Sequence, residues 1–266
     1  MCMIHLTPWD LAITSILIIM LAITSFMMQL NIARQLLIAA SRNVIQLLLV
    51  GYILKLIFAN TNLFYLGGIA AVMLLVAGFE INARQKYPLK RWVGFKIGTS
   101  ALFLSSFAMA LVALLVIVAP TPWYSPQYAI PLLGMLLGNT MNGISLGMDK
   151  LNQSVYQQRL IIEQRLMLGQ DYQEVIQDIR AESIRTGMIP IINSMAIAGL
   201  VSLPGMMTGQ ILSGTPPVEA VKYQILLFFL ITAGTGFGIM LAVSMIAQRL
   251  FDDRQRLTLA LLKINK

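Results

Sequence analysis

Long apolar stretches separated by short polar connections are the feature that most limits how this chain can fold. Each stretch approaches the roughly 20 residues that an α-helix needs to cross a bilayer, so the sequence predicts about seven transmembrane helices. With 58% hydrophobic and only 11% charged residues, the chain has too little polar surface for a soluble fold. We therefore expect an all-α integral membrane protein. The predicted spans are Trp9–Met28, Leu36–Phe58, Leu63–Phe79, Val93–Ala119, Ala129–Gly147, Met188–Leu212 and Val221–Ala247.

The basic residues predict how the spans are oriented. Lys and Arg concentrate on the cytoplasmic side of membrane proteins, so the net charge of +8 indicates topology here and not nucleic-acid binding. An external N-terminus puts almost all basic residues on the opposite side, with Lys55 and Lys222 as the clear exceptions. We expect one polytopic domain over residues 1–266 in a bacterial inner membrane, with the C-terminus in the cytoplasm.

A long polar insert at about residues 149–187 interrupts this pattern on the predicted cytoplasmic side. Gly169 suits a left-handed helix C-cap, and Asp171 with Glu174 forms an N-terminal capping pattern, so two helices with a sharp corner are predicted. The second helix has an apolar face formed by Val175, Ile176, Ile179 and Ile184. Such a corner presents a shaped surface to a soluble partner. An ordinary amphipathic loop is the alternative.

Polar residues inside the predicted spans are candidates for a transport pathway. An ionisable group in hydrocarbon costs roughly 2.5–3.5 kcal/mol, so each should face a partner or a water-filled cavity. For Arg42 the alternatives are an ion pair with Glu80 or snorkelling to the inner surface, and for the asparagines helix packing. Glu80 and Arg84 also have the spacing of an ion pair. The candidates are Arg42, Gln46, Glu80, Asn139, Asn142, Asn193, Pro204 and Gly205.

Pro204 and Gly205 predict a bend or break within the sixth span. Proline removes one helix hydrogen bond, and glycine leaves the backbone unrestricted. Broken helices at membrane depth line a cavity or a packed interface. A shortened span with a re-entrant end remains the alternative.

The residue inventory excludes several site types. A single Cys and a single His exclude an internal disulfide and a His cluster. No glycine-rich phosphate loop occurs, so any ATP is bound by another subunit and we expect no cofactor on this chain. No catalytic constellation is present, and the metal ligands, if any, are not identified by the sequence.

Several ordered motifs resemble the FetB (YbbM) family of ABC-transporter permeases. The runs that carry the similarity are Leu133–Leu146, Ile189–Met195 and Gly199–Leu212, with further similarity at Gln46–Tyr52 and Ala220–Ile225. The resemblance implies a permease that works as a homodimer with a separate FetA-like ATPase subunit. In bacteria the family is assigned to iron export.

The polar insert also resembles the loop through which ABC permeases contact their ATPases. Glu163 and Gly169 match the spacing of its Glu and Gly, whereas Gln164 and Arg165 replace two alanines and Ala181–Glu182 replace a Leu-Pro pair. The resemblance therefore implies a docking role without fixing the direction of transport. The implied coupling residues are Glu163, Arg165, Leu166, Met167, Leu168, Gly169, Asp171 and Glu174, with the leucines and the methionine as the apolar contact.

Two alternatives concern substrate and energy source. Plant relatives are linked to aluminium tolerance and to sugar-nucleotide transport, so a substrate such as a nucleotide sugar is one alternative to iron. A self-sufficient secondary transporter or channel is the other. Ion-coupled carriers usually need carboxylates in mid-span, and the nearest candidates, Glu80 and Asp149, lie at span ends.

Overall fold

The computed structural model describes residues 7–30, 32–58, 63–252, 254–259 and 262. Helices dominate these ranges, which contain isolated β-bridges but no strand, so the predicted all-α class is confirmed. A π-helical turn, Ala113–Ile117, extends α4. The helices are α1 Pro8–Met27, α2 Ala33–Phe58, α3 Leu63–Ala83, α4 Arg91–Val112, α5 Pro126–Gln157, α6 Arg159–Met167, α7 Tyr172–Ile197, α8 Gly205–Leu212 and α9 Pro217–Arg249.

The chain divides into two compact units, residues 1–61 and 62–266. The first unit contains α1 and α2, which pack against each other and leave most of their side chains exposed. Arg42 and Gln46 are exposed on α2. The second unit contains α3 to α9 and nearly all of the buried core of the described residues.

Six of the described helices are long and apolar enough to cross a membrane. The expectation of about seven spans is not confirmed, because the predicted sixth span, Met188–Leu212, is not one helix. Its first part is the end of α7, and its second part is the short helix α8. The six candidate spans are Trp9–Met27, Ala33–Leu54, Leu63–Ala83, Trp92–Ile117, Pro126–Gln157 and Pro217–Arg249.

The break between α7 and α8 lies where Pro204 and Gly205 predict it, but it is wider than one bend. It begins after Ile197, where Gly199 adopts a left-handed φ of 85°. The Gly199 N–H donates to the Ser202 carbonyl at 2.9 Å, which closes a turn. Pro204 then precedes the first residue of α8. Since the turn depends on Gly199 as well, replacing Pro204 alone would not restore a continuous helix.

The centre of the second unit is a close three-helix contact between α5, α7 and α9. A Cβ atom on Gly187 of α7 would lie 2.8 Å from the Gly143 carbonyl oxygen of α5. A Cβ on Gly143 would in turn lie 2.7 Å from Thr235 Cγ2 on α9. The fully buried Ile239 fills the space beside both glycines. Small residues at these positions let the backbones meet, as is common between membrane helices.

This close contact predicts that alanine substitutions at two helical glycines will change the stability of the protein differently. Gly187→Ala places a Cβ against a backbone oxygen, so we expect it to destabilise the second unit by about 1–3 kcal/mol. Gly138→Ala on α5 is the control, because its Cβ has no neighbour within 4 Å. Alanine favours a helix over glycine by about 0.5–1 kcal/mol, so the control should be neutral or stabilising. Thermal unfolding in detergent measures both, and equal melting temperatures would contradict the close contact.

Helix α5 does not end with the apolar stretch but continues through Lys150 to Gln157. The extension of about ten residues beyond the predicted span end adds about 15 Å of helix. After a break at Gln158, α6 follows, and α7 returns antiparallel beside α5 because Gly143 meets Gly187 and Gly147 meets Ser183. These helices therefore form a hairpin that extends past the apolar stretch of α5, here called the projecting hairpin, and its tip lies between Met167 and Tyr172.

Candidate functional site

The tip of the projecting hairpin is a fixed corner. Gly169 has the predicted left-handed φ of 85°. Its N–H donates to the Leu166 carbonyl at 3.0 Å, and the Gln170 N–H donates to the Arg165 carbonyl at 3.3 Å. These two bonds form a Schellman motif, which satisfies the last carbonyls of α6. The two predicted helices and the predicted left-handed cap at Gly169 are thus confirmed.

The start of α7 differs from its prediction in one detail. Asp171 occupies the N-cap position, but its side chain makes no capping hydrogen bond. The Asp171 backbone carbonyl accepts from the N–H groups of Glu174 and Val175 at 3.0 Å, as the carbonyl of an N-cap residue does whether or not its side chain caps the helix. The predicted helix start is therefore confirmed, whereas the predicted side-chain cap is wrong. The Asp171 and Glu174 side chains are both exposed at the corner.

The predicted apolar face of α7 is buried. Val175, Ile176 and Ile179 join the core of the second unit, while Ile184 packs at its edge. Ile162 of α6 is also buried, at 2% exposure, so the corner is packed on both of its helices. This packing ties the corner to the bundle as one body.

Arg165 links the two arms of the corner. Its Nε donates to Gln170 Oε1 at 2.6 Å, and its Nη1 donates to the Val175 carbonyl at 3.4 Å. The sequence predicts a docking residue at this position, and the structure adds a cross-link between α6 and α7. Glu163, the other charged residue of α6 for which the sequence implies a docking role, is exposed.

The apolar residues of the tip separate into supporting and exposed ones. Leu166 packs against the core, whereas Met167 and Leu168 are 80% and 84% exposed. Leu160 and Ile161, which the sequence analysis does not single out, are exposed on the same short helix. An apolar patch among the polar residues of a projecting hairpin is typical of a protein interaction site.

The Arg165 cross-link predicts the local stability of the corner. Arg165→Met removes two hydrogen bonds of about 0.5–1.5 kcal/mol each, so amide exchange at residues 167–173 should accelerate about tenfold. Gln164→Met is the control, since it changes the adjacent exposed residue of the same helix. Hydrogen exchange followed by mass spectrometry measures both variants. Unchanged exchange in Arg165→Met would show that the link does not hold the corner.

Described residues that follow α9, at positions 251–252, 254–259 and 262, lie beside the corner and are called the C-terminal wall here. No sequence pattern predicted this contact. Phe251 is buried and its ring centroid lies 5.2 Å from that of Tyr172, while Gln255 Oε1 accepts from the Tyr172 N–H at 3.4 Å. The wall and the corner enclose a groove of about 770 Å³. Its lining residues are Glu163, Leu166, Met167, Gly169, Gln170, Arg254, Gln255, Arg256 and Leu257.

A polar seam joins the end of α3 to α5. Asn152, fully buried, donates to Gln85 Oε1 and to the Tyr87 carbonyl, both at 3.0 Å. Asp149 Oδ1 accepts from the Lys86 N–H at 2.7 Å. The rings of Tyr87 and Tyr156 stack with centroids 4.8 Å apart. These contacts hold the α3–α4 connection against the base of the projecting hairpin.

The seam brings together two of the predicted pathway residues. Arg84 Nε lies 3.5 Å from Glu80 Oε2, which confirms the predicted ion pair. Arg84 Nη1 also donates to Asn142 Oδ1 at 3.1 Å. Glu80 and Asn142 are therefore linked through one guanidinium group.

Two further predicted pathway residues, Asn139 and Asn193, lie on exposed helix surfaces of the second unit. Asn139 is exposed on α5 and donates to the Met135 carbonyl of its own helix at 2.9 Å. Asn193 is exposed on α7. The Gly143–Gly187 and Gly147–Ser183 contacts set a register in which Asn139 and Asn193 lie about 3 Å apart along the helix axis. Pro204 and Gly205 stand apart, at the break before α8.

A cavity of about 230 Å³ between α4, α5, α8 and α9 was not predicted. Gln127, Gln210 and Tyr223 contribute polar groups to its lining, and Met135 and Met206 contribute thioethers. Gln210 Oε1 is buried without a hydrogen-bond partner. Among the described residues, no group of three or more His, Cys, Asp or Glu side chains could hold a metal ion.

Sequence comparison assigns the chain to a family. Residues 8–251 match the uncharacterised protein family UPF0014. The chain belongs to this family. The match covers both units, the projecting hairpin and the start of the C-terminal wall. No solved structure matches the chain.

Curated UPF0014 relatives extend over most of the chain. The UPF0014 membrane protein slr1647 of Synechocystis is 39% identical over 86% of this chain and 87% of its own length. The probable iron export permease protein FetB of Escherichia coli is 28% identical over 97% of this chain and 98% of its own. Protein ALUMINUM SENSITIVE 3 of Arabidopsis thaliana is 30% identical over 79% and 75%. The predicted resemblance to FetB is thereby confirmed.

Proposed function

We propose that this multi-span membrane protein is the permease subunit of an ABC transporter and exports iron or a metal complex. It works as a homodimer in a bacterial inner membrane, with its N-terminus outside and its C-terminus in the cytoplasm. This orientation requires α7 and α8 together to make one crossing in addition to the six candidate spans. A separate FetA-like ATPase binds and hydrolyses ATP. This chain itself holds no cofactor and catalyses no reaction.

The observation that carries this proposal is the exposed apolar tip on a rigid projecting hairpin. Met167 and Leu168 are exposed, and they lie outside the helices that are apolar enough to span a membrane. They sit on a corner fixed by the Schellman motif and by Arg165. A surface of this kind suits docking into a pocket of a soluble protein, with the buried apolar anchors contributing more than charges at the rim.

The hairpin also has the connections that force transmission requires. Movement of the tip displaces α5 and α7 together, because the two helices meet at Gly143 and Gly187 without intervening side chains. Both helices carry pathway candidates, Asn139 and Asn142 on α5 and Asn193 on α7. ATP-driven approach of two ATPase subunits would therefore change the surfaces that face the second permease copy, which is how a packed interface switches between two arrangements.

Iron as substrate is proposed from the similarity to the probable iron export permease protein FetB of Escherichia coli. A free iron ion prefers oxygen ligands such as carboxylates, whereas the exposed pathway candidates on α5 and α7 are amides. A chelated or organic form fits amides at least as well. The name of the Arabidopsis relative makes another metal, or another substrate, the alternative to test beside iron.

The proposed docking role predicts that two negative charges at the tip prevent binding of the ATPase. Met167→Asp with Leu168→Asp should abolish co-purification of the ATPase, because the apolar anchors are replaced while the buried support of the corner is kept. Gln157→Asp with Gln177→Asp is the control, since it adds the same charge at two exposed hairpin positions away from the tip. Affinity capture with the neighbouring ATPase measures binding. Wild-type capture by the tip variant would remove the basis for the permease assignment.

The proposed pathway predicts a variant that loses transport but still forms the dimer and binds the ATPase. Asn142→Leu removes the amide that accepts from Arg84, so we expect transport of the metal chelate to fall about tenfold or more while the dimer and ATPase binding persist. Leu146→Ala, one turn further on the exposed face of α5, should transport normally. Proteoliposomes that contain both subunits measure the rates. Full transport by Asn142→Leu would restrict Asn142 to packing.

A further inference from the structure

The C-terminal wall is built to hold two arginines beside the corner. Asp252 Oδ1 accepts from the backbone N–H groups of Arg254 and Arg256 at 3.0 and 2.8 Å. Gln255 between them has a left-handed φ of 57°, a conformation that non-glycine residues rarely adopt. Its side chain bonds the Tyr172 N–H. Strain of this kind persists only where the surrounding contacts fix it.

The wall is anchored at both ends. Phe251 is buried against Tyr172 at the near end, and Leu262 is buried and pairs with Leu89 of the α3–α4 connection at the far end. The Thr258 N–H donates to the Leu250 carbonyl at 2.7 Å, which closes the turn between them. Arg254 and Arg256 are exposed while the backbone that carries them is held in place. They line the same groove as Met167.

The charges of the groove indicate the chemistry of its occupant. Its lining contains two arginines from the wall, one carboxylate, Glu163, from the corner, and the apolar Leu166, Met167 and Leu257. A protein that fits this groove would insert an apolar side chain and place carboxylates next to the two arginines of the wall. Charges at the rim of such an interface control the association rate and its salt dependence more than they add affinity.

We propose that Phe251, Asp252 and residues 254–257 form the second half of the ATPase-binding surface, in which Arg254 and Arg256 contact carboxylates of the ATPase while Met167 and Leu168 supply the apolar anchor. This inference rests on the proposed permease function. It adds a contact outside the coupling corner, and it assigns a role to a segment that lies about 80 residues further along the chain.

The test compares ATPase binding by variants of the two wall arginines with binding by a variant of an arginine outside the groove. Arg254→Glu with Arg256→Glu should weaken ATPase binding about tenfold or more at low salt, and the difference should shrink at high salt. Arg254→Gln with Arg256→Gln should show a smaller loss of the same kind. Arg249→Glu is the control, because Arg249 is exposed near the end of α9 but does not line the groove. It should change affinity less than threefold by the same reasoning.

The outcomes separate this inference from the proposed function. Wild-type affinity and salt dependence in both arginine variants, with binding lost in Met167→Asp/Leu168→Asp, would overturn the wall contact and leave the permease function intact. Normal binding by the tip variant would overturn both. Measurements in nanodiscs of neutral lipid exclude a lipid role. An effect that appears only with anionic lipid would mean that the arginines contact headgroups, and would overturn the inference.

Discussion

The direct backbone contact between α5 and α7 is the constraint on which the rest of the second unit depends. Gly187 approaches the Gly143 carbonyl so closely that a single added carbon would meet it at 2.8 Å. Lipid offers no hydrophobic driving force between helices, so close packing of small residues must supply much of the association. Ile239 of α9 completes the contact and is itself fully buried. Three long helices thereby become one mechanical unit.

The projecting hairpin inherits its rigidity from that contact. Helix α5 runs from the apolar core into the polar insert without interruption until Gln157, so no flexible linker separates the tip from the membrane part. The polar seam at Asn152 supports its base, and the buried face at Val175 and Ile176 supports its tip. A load applied at Met167 or Leu168 would therefore reach the helices that carry Asn139, Asn142 and Asn193. This continuity is the physical basis of the coupling proposal.

Local sequence signals predicted those parts of the site that depend on short-range physics. Gly169 was identified as a left-handed cap because few other residues adopt that conformation at low cost. The burial of Val175, Ile176 and Ile179 followed from helical periodicity. The Glu80–Arg84 pair followed from spacing alone. Asp171 occupies the predicted N-cap position of α7, but its carboxylate makes no capping hydrogen bond.

Long-range features of the site were not accessible to the same reasoning. Nothing in the local pattern around Arg165 indicates that its guanidinium reaches Gln170 and Val175 across the corner. The Asn142–Arg84 bond joins residues 58 positions apart, and the C-terminal wall meets the corner only because α9 ends beside it. The position of Gln210 in the lining of the cavity beside α8 was not predicted either. It depends on the break after Ile197, which is longer than a proline bend.

The sequence by itself determined the membrane class, the helical content, the position of the polar corner and the site of the helix break. These depend on apolar run length, periodicity and the conformational preferences of glycine and proline, all of which act within a few residues. Only the tertiary structure decided which side chains of the corner are exposed, which polar groups meet, and how far the break in the sixth apolar stretch extends. Those outcomes depend on packing between distant segments, which local preferences do not specify.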